Sequence, residues 1–185
     1  FYLPVITSMV EVSLVFSWLF NPYYGLINHL LSLLGIQGPA WLSSSEWAMP
    51  AIVIVSVWKM AGYYMVIYLA ALQNIPPELY EAAAIDGANR WQQIRYVTVP
   101  LISPTTFFIS IMCTMSALKI FEQVYVMTGG GPANSTITVN LLIYRNAFEY
   151  LRMGRATAMA YFLFAAIMIV TLIQFWGQKR WVHYG

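Results

Sequence analysis

The chain has 185 residues, 60% of them hydrophobic and 9% charged, with a formal net charge of +2 and a mean hydropathy of +0.65. Soluble domains carry roughly 25% charged residues, so this much apolar surface exceeds what one soluble core can hide, and an all-α, polytopic transmembrane helical bundle is expected. A charge so small and dispersed gives no footing for a nucleic-acid partner, and the single cysteine, Cys113, excludes an intrachain disulfide.

Because the first residue is Phe1 rather than Met, the chain reads as an N-terminally truncated fragment with earlier segments before it. Residues 2–20 form the first candidate span, near the roughly 20 residues a crossing helix needs. Its one charge, Glu11, is either a candidate functional group or the bonding partner of a neighbouring helix, because carboxylates inside a membrane face other helices or water. Residues 21–48 form a loop in which the apolar stretch from Gly25 to Ile36 is too short to cross and reads as an interfacial or partly re-entrant helix. Trp41 and Trp47, among serines and Glu46, mark an aqueous boundary. His29 has no second ligand at metal spacing, and no metal site is expected.

The second span, residues 49–72, places Ser56, Lys59, Met60 and Tyr63 on one helical face. Residues 74–103 then break the apolar pattern with Glu78, Glu81, Asp86, Arg90 and Arg95. Such a cluster between two membrane-length runs needs a watery or protein-bound surface, and it reads as a docking element. Pro76 and Pro77 start a helix, Glu78 and Glu81 suit its positive end, and Ala82, Ala83 and Ala84 leave one face bare of bulk. Asp86-Gly87 stops that helix, Asn89 with Gln92 forms a capping box for another, and Pro100 and Pro104 end it.

The third span, residues 104–127, carries Lys119 and Glu122, three apart and expected to pair on one helix face. The loop of residues 128–153 contains Gly129-Gly130-Gly131-Pro132, which lacks the Lys-Ser/Thr of a phosphate loop and is explained by positive φ angles. The fourth span, residues 154–176, opens with small residues that permit close helix approach, and Lys179, Arg180, Trp181 and His183 form a basic aromatic tail. Positive charge favours the side of residues 74–103 only slightly. No Walker motif, metal-ligand cluster or Ser/His/Asp arrangement is visible, so no catalytic residue is assigned.

Glu81-Ala82-Ala83, with Gly87 after three residues and Val97, Val99 and Pro100 further on, resembles the EAA loop of ABC importer permeases, whose pattern has Ile and Leu where Val97 and Val99 stand here. Together with Phe121, Tyr125, Thr128 to Pro132 and Ser135-Thr136, the chain resembles the carbohydrate-importer subgroup, and within it the maltose-type first permease subunit. That resemblance implies a single, partial transmembrane domain of the type I ABC importer fold, in a multi-pass protein of the bacterial inner membrane. It implies a cytoplasmic EAA loop and C-terminus, with residues 21–48 and 128–153 on the outer side. Glu81, Ala82, Ala83, Asp86, Gly87 and Pro100 would form the ATPase-coupling loop, and Ser56, Lys59, Met60, Tyr63, Ser116, Ala117, Lys119, Ile120 and Glu122 the substrate path. The implied partners are a second permease subunit, a cytoplasmic ATPase dimer that uses the ATP, a solute-binding protein near Tyr144, Arg145 and Glu149, membrane lipid and a sugar. No cofactor is expected on this chain itself. The alternative is an ion-coupled secondary transporter working through Glu11, Lys59 or Glu122.

Overall fold

The computed structural model describes residues 3–178, and the basic aromatic tail from Lys179 to His183 lies outside the described residues. Every regular element among the described residues is helical. Among the described residues, three stretches are long and apolar enough to cross a membrane: Ala48–Gln73, Ser103–Met127 and Met153–Gln178. Only 22%, 17% and 11% of their most apolar windows is covered by the rest of the chain. Side chains this apolar and this uncovered require a nonaqueous surrounding, which agrees with the bundle expected from composition.

The chain forms two compact units, Phe1–Gly62 with Lys119–Ala165, and Tyr63–Leu118 with Ala166–Gly185. The first opens with α1 (Leu3–Ile6) and α2 (Met9–Leu19), so the candidate span of residues 2–20 contains two helices. The break has a local cause. Ser8 accepts a hydrogen bond from the Val10 N–H, and Glu11 accepts one from the Ser8 N–H at 3.2 Å, which makes a capping box. Glu11 therefore closes the start of its own helix, the role a glutamate takes three residues after a serine cap.

A buried lysine closes the other side of this joint. Lys59, on α4 (Ala48–Gln73), is 6% exposed. Its Nζ donates to the Pro4 carbonyl at 3.1 Å and to the Thr7 carbonyl at 2.6 Å. Carbonyls freed by a helix end are costly to leave unpaired away from water, and an ammonium donor bonds them more strongly than a neutral one.

Around this joint Val12, Phe20, Trp41, Ile52, Val55, Val124 and Leu141 form a continuous core. The short helix α3 (Leu26–Leu33) adds Ile27 and Leu31 to its margin. Between α3 and α4, a single 3₁₀ turn at Trp41–Ser43 sets the Trp41 ring 4.9 Å from Phe20 and 5.5 Å from Trp47, centroid to centroid.

After α4 come α5 (Pro77–Ile85) and α6 (Arg90–Gln93), then a π-helical stretch at Ile94–Thr98 and α7 (Val99–Leu101) leading into α8 (Ser103–Leu118). Pro100 thus lies inside a helical run and does not end it. A π turn already abandons the i→i−4 pattern, with the Val99 N–H bonded to Ile94, so a residue without an N–H is accommodated there. Pro104 sits in the first turn of α8, where proline costs no hydrogen bond.

The third apolar run is also interrupted. It consists of α8 and α9 (Glu122–Met127), separated by nonhelical residues at Lys119, Ile120 and Phe121. Next follow α10 (Val139–Tyr144), a second π stretch at Arg145–Glu149, and α11 (Met153–Gln178). In the second unit, Gln174 on α11 donates to the Thr114 hydroxyl on α8 at 2.8 Å, and Phe107 meets Phe175 edge-on at 5.4 Å.

Replacing Lys59 with Met should lower stability by about 2 kcal/mol, because the Thr7 carbonyl loses its charged donor and the Pro4 carbonyl keeps only the Thr7 hydroxyl. Thermal unfolding of the full-length protein in detergent should show a reduced Tm, and an unchanged Tm would remove the clamp from this account.

Candidate functional site

The docking element is built from two helix ends placed back to back. Pro76 caps α5 with extended backbone, Pro77 occupies its first position and Glu78 its first turn. At the far end Gly87 takes φ +78°, its N–H bonds to the Ala84 carbonyl at 3.0 Å, and the Ala88 N–H bonds to Ala83 at 2.9 Å. This is the paired closure of a Schellman motif, in which the left-handed residue is best a glycine. A Cβ at Gly87 would meet no atom within 4 Å, so backbone conformation, not crowding, demands glycine there.

Asn89 then starts α6. Its side chain accepts from the Gln92 N–H at 3.0 Å, while Gln92 accepts from the Asn89 N–H at 2.8 Å. The Tyr80 and Thr98 hydroxyls share a hydrogen bond of 2.9 Å, which ties α5 to the π stretch. The fixed elbow exposes Glu81, Ala82, Ala84 and Asp86, with Ala83 half-buried. It also exposes large apolar groups, Ile85 at 87%, Trp91 at 80% and Tyr96 at 70%. Apolar side chains beside charges on a protruding turn have the composition of an interface.

The predicted path residues separate into distinct surroundings. In the first unit Ser56 donates to the Ile52 carbonyl at 2.8 Å and accepts from Gln123 Nε2 at 3.0 Å. Lys59 faces the Pro4 and Thr7 carbonyls, and Met60 is partly exposed. Ile120 packs against the core, while Lys119 and Glu122 are exposed. The expected Lys119–Glu122 ion pair is not among those of the described residues, because Lys119 lies in the break and not on a shared helix face. In the second unit Tyr63 is half-buried with its ring 5.5 Å from Tyr64, and Ser116 and Ala117 are exposed.

The break itself is held from α10. The Thr138 hydroxyl donates to the Ile120 carbonyl at 3.1 Å and Asn140 Nδ2 to the Lys119 carbonyl at 2.7 Å. The sequence reading missed Thr138, Asn140 and Gln123. Gln123 had a usable signal, since an amide inside a membrane-length apolar run needs a partner.

The glycine loop is locked from within. Thr136 is fully buried, donating to Gly131 at 2.8 Å and sharing a 2.7 Å bond with Thr128. Gly129 and Gly130 have positive φ, as expected. At Gly130 a Cβ would also approach Leu141 to 2.8 Å. Arg145 Nη2 donates to the Gly129 carbonyl and its Nε lies 3.7 Å from Glu149. Tyr144 joins Phe121, Tyr125 and Phe148 in a ring cluster. The neighbouring Tyr125, by hydrogen bonding above all, holds the Tyr144 phenol above the usual range. Among the described residues no group of three or more His, Cys, Asp or Glu is placed to hold a metal.

The family described as binding-protein-dependent transport system inner membrane component matches residues 1–182. This chain belongs to that family. Among its curated relatives, the probable ABC transporter permease protein YurN of Bacillus subtilis is 37% identical over 93% of this chain and 58% of its own length. The sulfoquinovosyl glycerol transport system permease protein SmoG of Agrobacterium fabrum is 39% identical over 86% of this chain and 52% of its own. The lactose transport system permease protein LacF of Rhizobium radiobacter is 36% identical over 97% and 61%. The chain thus spans between half and two thirds of the length of these relatives. A solved bacterial ABC transporter involved in import of the acidic polysaccharide alginate matches with a TM-score of 0.87 and 31% identity, over 97% of this chain and 63% of that one. The fold is therefore that of an ABC importer permease.

Within this inner membrane component the capping box carries a definite expectation. Asn89→Ala should cost about 1 kcal/mol of local stability. It should be read as faster amide exchange at Gln92 with exchange in α5 unchanged.

Proposed function

We propose that the chain is part of the membrane-spanning permease subunit of an ATP-driven, binding-protein-dependent sugar importer. The observation that carries this reading is the closed elbow at α5 and α6, set between membrane-length helices in a chain of this family and bearing exposed Ile85, Trp91 and Tyr96. The names of the lactose and sulfoquinovosyl glycerol relatives, and the alginate transporter, support a carbohydrate cargo.

In this reading the elbow lies on the cytoplasmic side of the bacterial inner membrane and fits a groove on an ATPase dimer, which binds and hydrolyses the ATP. Glu81 and Asp86 make polar and helix-end contacts, Ala82 and Ala83 allow close approach, and Gly87 fixes the turn. Pro100 sits on the helical run that leads from the elbow into α8. Closure of the ATPase then moves the attached helices as rigid bodies. A second permease subunit completes the path, and an extracytoplasmic solute-binding protein delivers the sugar, as in the solved alginate transporter complexed with its pentasaccharide-bound periplasmic protein. The groups assigned to the path are Ser56, with Gln123 bonded to it, Met60 and Ile120 in the first unit, and Tyr63, Ser116 and Ala117 in the second. Lys119 and Glu122 supply its charges, since Lys59 already holds two carbonyls. Lys59 bonded to two carbonyls and Glu11 bonded at the start of α2 count against the ion-coupled alternative.

Gly87→Asp in the full-length permease should abolish coupling while leaving membrane insertion intact. Forcing an acidic, β-carbon-bearing residue into the left-handed position should lower uptake about tenfold or more. Uptake of a panel of labelled sugars, in cells supplying every subunit, is the measurement. Wild-type uptake by this variant would sink the coupling role.

A further inference from the structure

The segment between α2 and α4 has no part in the coupling or path roles above, yet it exposes a run of large apolar side chains. Between Asn21 and Ser45 there is no Asp, Glu, Lys or Arg. Within it α3 has 8 residues, about 12 Å of helix, against a hydrocarbon core of about 30 Å. It is too short to cross.

Its two apolar edges differ. Ile27 and Leu31 pack against the protein core, whereas Leu26, Leu30, Leu33 and Leu34 are 46%, 53%, 70% and 75% exposed. The exposed four recur at i, i+4, i+7 and i+8, one stripe of a helix. His29 and Ser32 are exposed on the remaining side. A Schellman closure carries the chain on to Ile36, with the Gly35 N–H on Ser32 and the Ile36 N–H on Leu31, both at 3.0 Å.

The depth of α3 is fixed by one side chain. Asn28 Nδ2 donates to the Pro22 and Pro39 carbonyls at 3.3 and 3.2 Å, and its Oδ1 accepts from Trp41 Nε1 at 2.6 Å. Gly38 leaves the room for it, since a Cβ there would lie 2.1 Å from Asn28 Oδ1. Trp41 in turn meets Trp47, the residue before α4 begins. The clamp therefore holds α3 at the level where the long helix starts, and exposed Tyr23 and Tyr24 lie on the same connection. Tyrosine and tryptophan favour that level of a bilayer.

We propose that α3 is a surface-lying lipid anchor, with Leu26, Leu30, Leu33 and Leu34 among the acyl chains and His29 and Ser32 toward the headgroups. A stripe of leucines without a charge beside it offers a protein partner no electrostatic register, but it matches the mixed apolar and polar depth of the membrane interface. This inference rests on the membrane reading of α4 and not on the cargo.

The test uses the full-length permease assembled with its partner subunits in phosphatidylcholine–phosphatidylglycerol vesicles. Nitroxide labels are introduced by Leu30→Cys, Leu33→Cys, His29→Cys and Ser32→Cys in a Cys113→Ser background, with Val57→Cys on α4 as the membrane reference. Collisions with oxygen should exceed those with a water-soluble nickel chelate at Leu30 and Leu33, and the order should reverse at His29 and Ser32. If Val57 favours oxygen but Leu33 favours nickel, the anchor is wrong and the membrane reading stands. Inaccessibility of Leu30 and Leu33 to both reagents would mean a protein covers them, which also overturns the proposal. Nickel access at Val57 as well would remove the membrane reading and the anchor together.

Discussion

A chain in hydrocarbon has no water to complete its backbone hydrogen bonds, and the interruptions of its apolar helices show how this protein meets that requirement. At the joint between α1 and α2, Ser8 and Glu11 satisfy amide groups while Lys59 satisfies the carbonyls. At the break between α8 and α9, Thr138 and Asn140 reach the carbonyls of Ile120 and Lys119. Each break is answered by a side chain placed for it. Serine and threonine hydroxyls inside the helices do the same on a smaller scale by bonding back to their own turn, as Ser13 does to Met9 and Thr114 to Ser110.

The elbow follows a different rule because its residues are polar and exposed. Its closure comes from local motifs, a glycine in left-handed conformation and an asparagine–glutamine box, and Tyr80 with Thr98 supplies the cross-link. Its outward apolar groups, above all Ile85 and Trp91, are left largely exposed by the described residues. An element that is ordered by its own backbone and apolar on its outside is suited to being gripped by something else.

These two rules also explain what could be read from sequence. Local chemistry was legible: Pro77, Gly87 and the Asn89–Gln92 box announce the elbow through short-range effects that owe little to the rest of the fold. The long helices were legible from length and apolarity, to within a residue or two at Ala48–Gln73 and Met153–Gln178. The break at Lys119 to Phe121 was not, because it contains neither glycine nor proline and its capping donors come from about 20 residues later in the chain. Lys59 and Glu11 looked like functional charges for the same reason: the groups they serve become visible only once the first apolar run is known to be two helices. The Ser8–Glu11 spacing did carry a capping signal, which a reading of residues 2–20 as one span passes over. Pro100 misled in the other direction, since a π turn absorbs the missing amide that would break an ordinary helix.

The Tyr80–Thr98 hydrogen bond has a mechanical consequence. It lies behind the tip of the elbow, joining the ascending helix to the descending one, while Ile75 is buried at the root. A hinge needs slack, and this turn has little: each arm is braced against the other before either reaches its long helix. A load placed on Ile85 would be shared by both arms of the turn, as in a closed truss.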